Sequence, residues 1–478
     1  MKTKLLALLL ALLLMLNCFM VFSCVAPPEA PPDDDPPVDN PPSDPPADEP
    51  PVDNPPSDPP ADEPPAGENP PSDPPADEPP VLDIDNPEKF ADFKLTSNKI
   101  YEALDVALKK IDYCIDTYGV AYPGAYSTNN VYKFSTSNKS GWVQGFWSGT
   151  AWNAYGMTGD TKYSNYAMSF VPAFSERVDN KLGLNNHDMG FLYVPSCVAA
   201  YKEFGDEAAK QAALKAADLL IERYHEDAKF IQAWGTLGDL NEYRLIIDTL
   251  MNLSLLYFAS EETGDPKYAD IAYNHYKTTM KVIYREDGGS YHTYYFDPVT
   301  KEPAYGKTKQ GYADDSTWSR GQAWGMYGSI ITYIHTGDES CLDDFKLATN
   351  HFLNNLPDDY VSYWDFTFTG DPAHPRDSSA TAIAVCALLE SLDHLGTDDP
   401  YYDIYKNAAY RMMNGLIETC SSKDLPECNG LLLHGNQSGA NVFNETNRKG
   451  VDEMMVYGDY FYMEALRRLL DKSWDAYW

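Results

Sequence analysis

Residues 245–280 read LIIDTLMNLSLLYFASEETGDPKYADIAYNHYKTTM. The first part, Leu245 to Ala259, is apolar on nearly every side. Thr263-Gly264-Asp265 then breaks the pattern, and a run with one polar face follows. Glycine supplies the left-handed end of one helix, and aspartate caps the start of the next. A helix apolar all round is buried, whereas an amphipathic one covers it. The stretch therefore predicts a helical hairpin with an inner and an outer member.

The same punctuation recurs at Thr158-Gly159-Asp160, Gly205-Asp206, Thr336-Gly337-Asp338 and Gly396-Thr397-Asp398. The apolar runs Phe191 to Tyr201 and Ala380 to Leu389 each precede one of these turns. Uneven spacing argues for a set of hairpins rather than a strict repeat. The stripe Ile100, Leu104, Ala107, Leu108 and Ile111 marks an opening helix, and Met454 to Leu470 a closing one. That makes about six inner and six outer helices, an all-α (α/α)6 barrel with its site in a funnel at one end. An open solenoid is the alternative. The closing run is as apolar as the others, which favours a closed ring.

Ahead of this domain, residues 82–478, the composition is different. Lys2 and Lys4 lead into LLALLLALLLML, the pattern of an export signal. Val21-Phe22-Ser23-Cys24 resembles the end of a lipoprotein signal, which makes Cys24 the candidate lipidated residue of a signal spanning 1–24. Between Val25 and Val81 stand sixteen Asp or Glu and twenty-four Pro, with no Lys or Arg. PPVDNPPSDPPADE begins at Pro36 and again at Pro50. Paired prolines forbid helix and favour an extended form, so 25–81 reads as a disordered acidic linker, on the order of 150 Å long at most. An exported protein anchored through lipid is the expectation, with no other membrane contact. The formal charge of −36 argues against nucleic-acid partners and makes local positive charge a requirement for any anionic substrate.

Charges inside apolar runs are informative, because burying them is costly. Asp188 begins the run Met189-Gly190-Phe191-Leu192-Tyr193, and Asp248 sits within Ile246-Ile247-Asp248-Thr249-Leu250. A carboxyl group in an apolar wall has a raised pKa and can act as an acid near neutral pH. The competing structural roles are a helix N-cap for Asp188 and an ion pair with Arg244 for Asp248. A second constellation is Trp318-Ser319-Arg320-Gly321-Gln322-Ala323-Trp324. A guanidinium fork suits a carboxylate, and indole faces suit a sugar ring, so Arg320, Gln322 and Trp324 fit an acidic sugar. The alternative is a helix start packed by aromatics. His187 and His292 are the imidazoles near these segments. No HExxH, clustered His/Cys set, phosphate loop or GxSxG elbow occurs, so neither a metal nor a cofactor is expected. Cys197 and Cys386 read as buried thiols, and Cys420 with Cys428 as a possible bridge.

Trp142-Val143-Gln144-Gly145-Phe146-Trp147, Asn186 to Phe191, Ile247 to Asn252, Trp318 to Gly325 and Tyr457-Gly458-Asp459-Tyr460-Phe461, in that order, resemble the unsaturated glucuronyl hydrolases, glycoside hydrolase family 88. The resemblance spans about residues 95 to 470. It implies an (α/α)6 barrel that removes 4,5-unsaturated uronic acid from the non-reducing end of lyase-generated oligosaccharides, such as unsaturated chondroitin or hyaluronan disaccharides. In that chemistry an acid protonates C4 of a vinyl ether and water adds at C5. The resemblance assigns the acid/base to Asp248 and a second essential carboxylate to Asp188. It assigns substrate contacts to Trp142, His187, Trp234, His292, Gln310, Arg320 and Trp324. WSRGQAW, rather than WARGNGW, leans away from the related unsaturated rhamnogalacturonyl hydrolases. A surface glycan-binding lipoprotein without activity is the non-enzymatic alternative; it does not require Asp188 and Asp248 together.

Overall fold

A computed structural model describes residues 82–439 and 449–478. The signal, Cys24 and the linker lie outside the described residues. Within the domain, six inner helical segments run Gln144–Thr158, Met189–Tyr193 continuing to Phe204, Thr249–Asn252 with Ser254–Thr263, Ser319–Thr336, Ser378–Ser391 and Val456–Leu470. Each packs against the next, and the sixth packs against the first. The ring is closed and the solenoid is excluded. Ser97–Tyr118, Thr161–Met168 with Val171–Asp179, Glu207–Ile221, Lys267–Met280, Ser340–Asn354 and Tyr402–Gly415 lie outside it.

The inner helices are buried around their whole circumference; in Ser378–Ser391 nearly every residue is inaccessible. The outer ones bury one stripe, such as Ala209, Ala212, Ala213, Ala216 and Leu220. Gly159, Gly205, Gly264 and Gly337 adopt φ between 66° and 70° at the ends of inner helices, as the turn pattern predicts. Asp160 and Asp206 then cap the following outer helices through their side chains. Pro195 falls inside the second inner segment, where a π turn, Val194–Val198, absorbs the backbone bond that proline cannot make.

Two kinds of connection result. The first four inner-to-outer turns are tight and the fifth spans 392–401, whereas outer-to-inner connections, most of them long, gather at the opposite end of the ring. All the strands among the described residues belong to these long connections. Arg244–Ile246, Thr293–Phe296 and Pro303–Lys307 form an antiparallel sheet, and Gly435–Ser438 pairs with Lys449–Glu453. This corrects the reading of Leu245 to Ala259 as one helix. β-Branched Ile246 pairs with Thr293, and the helix begins only at Thr249, so Asp248 sits on the corner between strand and helix. The possible Cys420–Cys428 bridge is not formed: both thiols are free and buried, as are Cys197 and Cys386.

The inner helices approach closely where glycine allows it. A Cβ on Gly145 would lie 2.3 Å from the carbonyl oxygens of Phe191 and Leu192, and one on Gly190 would lie 2.5 Å from Cα of Asn252. Backbone atoms cannot yield as a flexible side chain can. Gly190→Ala is therefore expected to cost roughly 1–3 kcal/mol through overpacking. It should also displace Asp188 and depress activity. Gly159→Ala, where no atom lies within 4 Å of the added carbon, should cost only about 1 kcal/mol and leave activity intact. Thermal unfolding and turnover measured on both variants separate the two effects.

Candidate active site

The long connections deliver the amino ends of the inner helices to one mouth, together with their partial positive charge. Four of these ends carry aspartate. Asp377 caps Ser379 and Ala380 and pairs with Arg320. Asp459 accepts from Leu432 N and from the Tyr132 hydroxyl. Asp188 and Asp248 are different. Asp188 stands at the N-cap position but makes no side-chain cap bond. Asp248 likewise caps nothing, and its Oδ1 is buried with no hydrogen-bond partner. Arg244, its proposed ion-pair partner, binds Glu242 instead. Both structural roles considered for these two residues are thereby excluded.

Each of the two carboxyl groups is only 7% exposed. Burial lifts Asp248 to about 7 against the opposing pull of Arg320. Burial also lifts Asp188 well above the carboxylate range, and the Asp248 charge adds to this against Arg223 and Arg177. Two buried carboxyl groups that repel one another hold at least one proton between them at neutral pH. Asn252 sets their relative position. Its Oδ1 accepts from Phe191 N at the start of one helix, and its Nδ2 donates to the Asp248 carbonyl of the other.

The imidazoles flank this pair. His187 Nε2 lies 3.4 Å from Asp188 Oδ1, and Nδ1 lies 2.5 Å from Thr249 Oγ1. Burial together with Arg223, His275, His292 and Arg244 pushes its pKa far down, so the ring is neutral. His292 is lowered to about 3, by burial, Arg244, Arg320 and Lys309. Its Nδ1 accepts from Lys309 N at 2.8 Å, which places its one proton on Nε2, and Nε2 has no partner in the protein. A neutral N–H donor is thus presented unpaired. The His292 carbonyl accepts from Ile247 N, which seats the ring beside Asp248.

The aromatic residues divide by depth. Trp142 is half-buried and stacks on Tyr457 with centroids 5.2 Å apart. Trp234 stands edge-on to both His187 and His292, with the Arg244 guanidinium 4.9 Å from its ring centre. Trp324 is completely buried against Phe191 and Phe461 and forms the floor rather than a wall. Gln310 donates to the Gln437 carbonyl and ties the 435–438 strand to the mouth.

Two sequence expectations change. The Arg320 fork is not open to a substrate carboxylate. Nη1 bonds Asp377 at 2.5 Å and the Asn436 carbonyl at 2.6 Å, Nη2 bonds the Gln437 carbonyl, and only Nε is unpaired. Its rim partners are Trp318 and Tyr457, with ring centres 4.5 and 5.0 Å away. Gln322 faces outward and joins Ser290, Gly288 and Ala348. A glutamine two residues after an arginine points away from it on a helix, and that geometry was available from spacing alone. Sequence reasoning also missed Thr249, Asn252 and Tyr457. Arg177 and Arg223 reach the pair from outer elements, and no local pattern announces them.

The profile of Glycosyl Hydrolase Family 88 matches residues 115–440. An unsaturated chondroitin disaccharide hydrolase of Streptococcus pneumoniae (strain ATCC BAA-255 / R6) is 46% identical over 396 residues, covering 83% of this chain and 98% of the relative. The crystal structure of an unsaturated glucuronyl hydrolase from Streptococcus agalactiae superposes with a TM-score of 0.79 at 46% identity, over 84% of this chain and 98% of that one. A mutant of that enzyme complexed with dGlcA-GalNAc6S gives 0.73 at 43% identity over the same shares. Profile match, identity and superposition agree: the chain belongs to glycosyl hydrolase family 88.

Proposed function

We propose that this protein is an unsaturated glucuronyl hydrolase acting on lyase-made glycosaminoglycan disaccharides, with unsaturated chondroitin disaccharide as the substrate to test first. The relatives named for that activity support it. The observation that carries it is the buried pair Asp188 and Asp248, neither of which caps its helix, with Asp248 poised near neutral pH.

The steps are those the family resemblance implies, assigned to these residues. The substrate uronate adds a negative charge to the mouth, which raises both carboxyl groups further and keeps the proton on Asp248. Asp248 gives that proton to C4 of the vinyl ether, forming a C–H bond and leaving positive charge shared between C5 and the ring oxygen. Asp188 holds ring hydroxyls and steadies this cation. Water adds at C5 and yields its proton to the Asp248 carboxylate, restoring the acid. The C5 hemiketal opens to a ketone, and the hemiacetal left at C1 releases the remaining sugar. One water is consumed. His292 offers Nε2–H to the water or the uronate. Trp142 and Trp234 wall the ring, Trp324 closes the floor, and Gln310 and Arg320 hold the covering strand in place. Arg320 acts on the uronate through its field and its free Nε–H rather than through a two-pronged grip.

The amino-terminal segment completes the proposal. Export, lipid attachment at Cys24 and the acidic linker would display the barrel away from a membrane surface. Cys24→Ser should abolish incorporation of labelled fatty acid and release the protein into the soluble fraction. Retention of the label would remove the anchor from this account.

Loss of the conjugated double bond's ultraviolet absorbance on incubation with unsaturated chondroitin disaccharide tests the activity directly; a constant signal contradicts it. Asp248→Asn should lower kcat by at least about a hundredfold, the usual scale for an acid–base group, while disaccharide binding stays near normal. The acid form of Asp248 is complete well below pH 7 and is lost as pH rises through about 7. The kcat/KM profile should accordingly fall about tenfold per unit above that point, with the kcat limb displaced to higher pH by the bound uronate. A profile flat to pH 9 would assign the proton to another group.

A further inference from the structure

We propose that Thr249 is a positioning residue: its hydroxyl selects the tautomer of His187 and thereby whether Nε2 presents a proton or a lone pair to Asp188, 3.4 Å away. This rests on the reading of Asp188 and Asp248 as the reacting pair. Thr249 opens the third inner helix and directly follows Asp248; His187 directly precedes Asp188. The side chains cross between the two helices, so the threonine after one carboxylate holds the histidine before the other. Nδ1 of His187 lies 2.5 Å from Thr249 Oγ1, and Nε2 lies 3.4 Å from Asp188 Oδ1. The ring is 1% exposed, and Thr249 is fully buried.

The ring is hemmed in by Arg223, Arg244, His275 and His292, with Trp234 edge-on, and among the described residues the carboxylate paired with it is Asp188. Asp188 in turn faces Asp248, Arg177 and Arg223. A neutral imidazole has one proton to place. A hydroxyl both donates and accepts, so it accommodates either placement. With Asp188 ionised, Nε2–H donates to it and Thr249 donates to Nδ1. With Asp188 protonated, its O–H donates to Nε2 and Nδ1–H donates to Thr249. The hydroxyl lets the ring follow the protonation of Asp188 through the reaction without acquiring a charge among four other nitrogen bases. Valine has the same shape and offers neither half of this exchange. Asp188 would then lose the nearby Nε2–H when ionised, and its anion would be less favoured.

Thr249→Val and Thr249→Ser in the full chain, assayed on unsaturated chondroitin disaccharide, decide the matter. The valine variant should lose roughly tenfold in kcat, the scale of one buried hydrogen bond, with KM within about twofold. The acid limb of its kcat profile should move up by about one pH unit. Serine should restore both. If the valine chain does not accumulate folded, Thr249→Ala carries the same expectation. Wild-type kcat and an unmoved acid limb in folded Thr249→Val would overturn the proposal, and so would a serine variant no better than valine. If the wild type itself leaves the disaccharide intact, the fault lies with the proposed activity. The ring-nitrogen NMR shifts of 15N-labelled His187, read without substrate, then decide: unchanged shifts in Thr249→Val overturn the tautomer role.

Discussion

An ionised carboxyl group in a dry wall is opposed by the loss of water, and everything at the mouth of this barrel depends on keeping two of them there. For Asp248 the rise from 3.8 to about 7 corresponds to about 4 kcal/mol against the anion. The sign for folding follows. The folded state binds the proton more tightly than the unfolded chain, so the stability from this group is complete below the unfolded value. It is lost as pH rises through about 7. Close packing of the ring must offset that loss. The contrast with Asp377 and Asp459 is instructive. Asp377 caps its helix and Asp459 lies in the first turn of its own; both are given donors, by Arg320, Ser379, Leu432 and Tyr132, though burial lifts Asp459 to about 7 as well. The fold can satisfy an aspartate at this position, and at two places it does not. Strain left unrelieved at chosen positions is the signature of a functional site.

Buried cations govern the same site from behind. Arg177, Arg223, Arg244 and Arg320 are each 2% exposed or less in a strongly acidic protein. Each is engaged elsewhere: Arg177 with the Gly141 and Leu182 carbonyls, Arg223 with the Gln232 and Gly235 carbonyls, Arg244 with Glu242 and Tyr295, and Arg320 with Asp377. Fixed in this way, they contribute field rather than contact. Burial, helped by that field, keeps His187 and His292 neutral, and the field restrains the rise of the Asp188 and Asp248 carboxyl groups. It also gives an anionic sugar a favourable destination on a surface that otherwise repels it. Lys309, exposed at the edge, extends the positive potential to the rim.

The parts legible in the sequence are those encoded locally. Gly264 and its counterparts end helices because their own backbone must turn left-handed. The apolar character of Phe191 to Tyr201 states burial directly. Asp188 and Asp248 stood out because a charge in such a run contradicts its surroundings. What was not legible depends on partners far along the chain. Arg320 meets Asp377 57 residues away, and Gln437 117 residues away. Nothing near Arg320 shows that its fork is already filled. The entry to Asp248 was read as helix because Leu245 to Ile247 continue the apolar run; the sheet that claims them is completed by Thr293–Phe296. Cys420 and Cys428 lie close in sequence, yet Lys110 reaches the Cys428 carbonyl and Leu433 N the Cys420 carbonyl, so different neighbours hold the two backbones.

The division between short and long connections explains how one architecture accommodates this chemistry. At the tight end, glycine turns fix where the first four inner helices stop, and the next helix returns along each. At the other end, the chain is free to elaborate strands and corners before each inner helix begins. Every group assigned to the reaction lies there or in the first turns of the inner helices. Positions such as Asp188 and Asp248 are therefore set by the rigid ring, while Trp234, His292 and the strand around Gln437 are carried on connections outside it. A change in the leaving sugar can be met by altering those connections without moving the proton donor. The donor itself cannot be moved so freely, because Asn252 and the close approach at Gly190 bind its helix to its neighbour. Chemistry is thus tied to the packing of the ring, and selectivity to the loops that cover it.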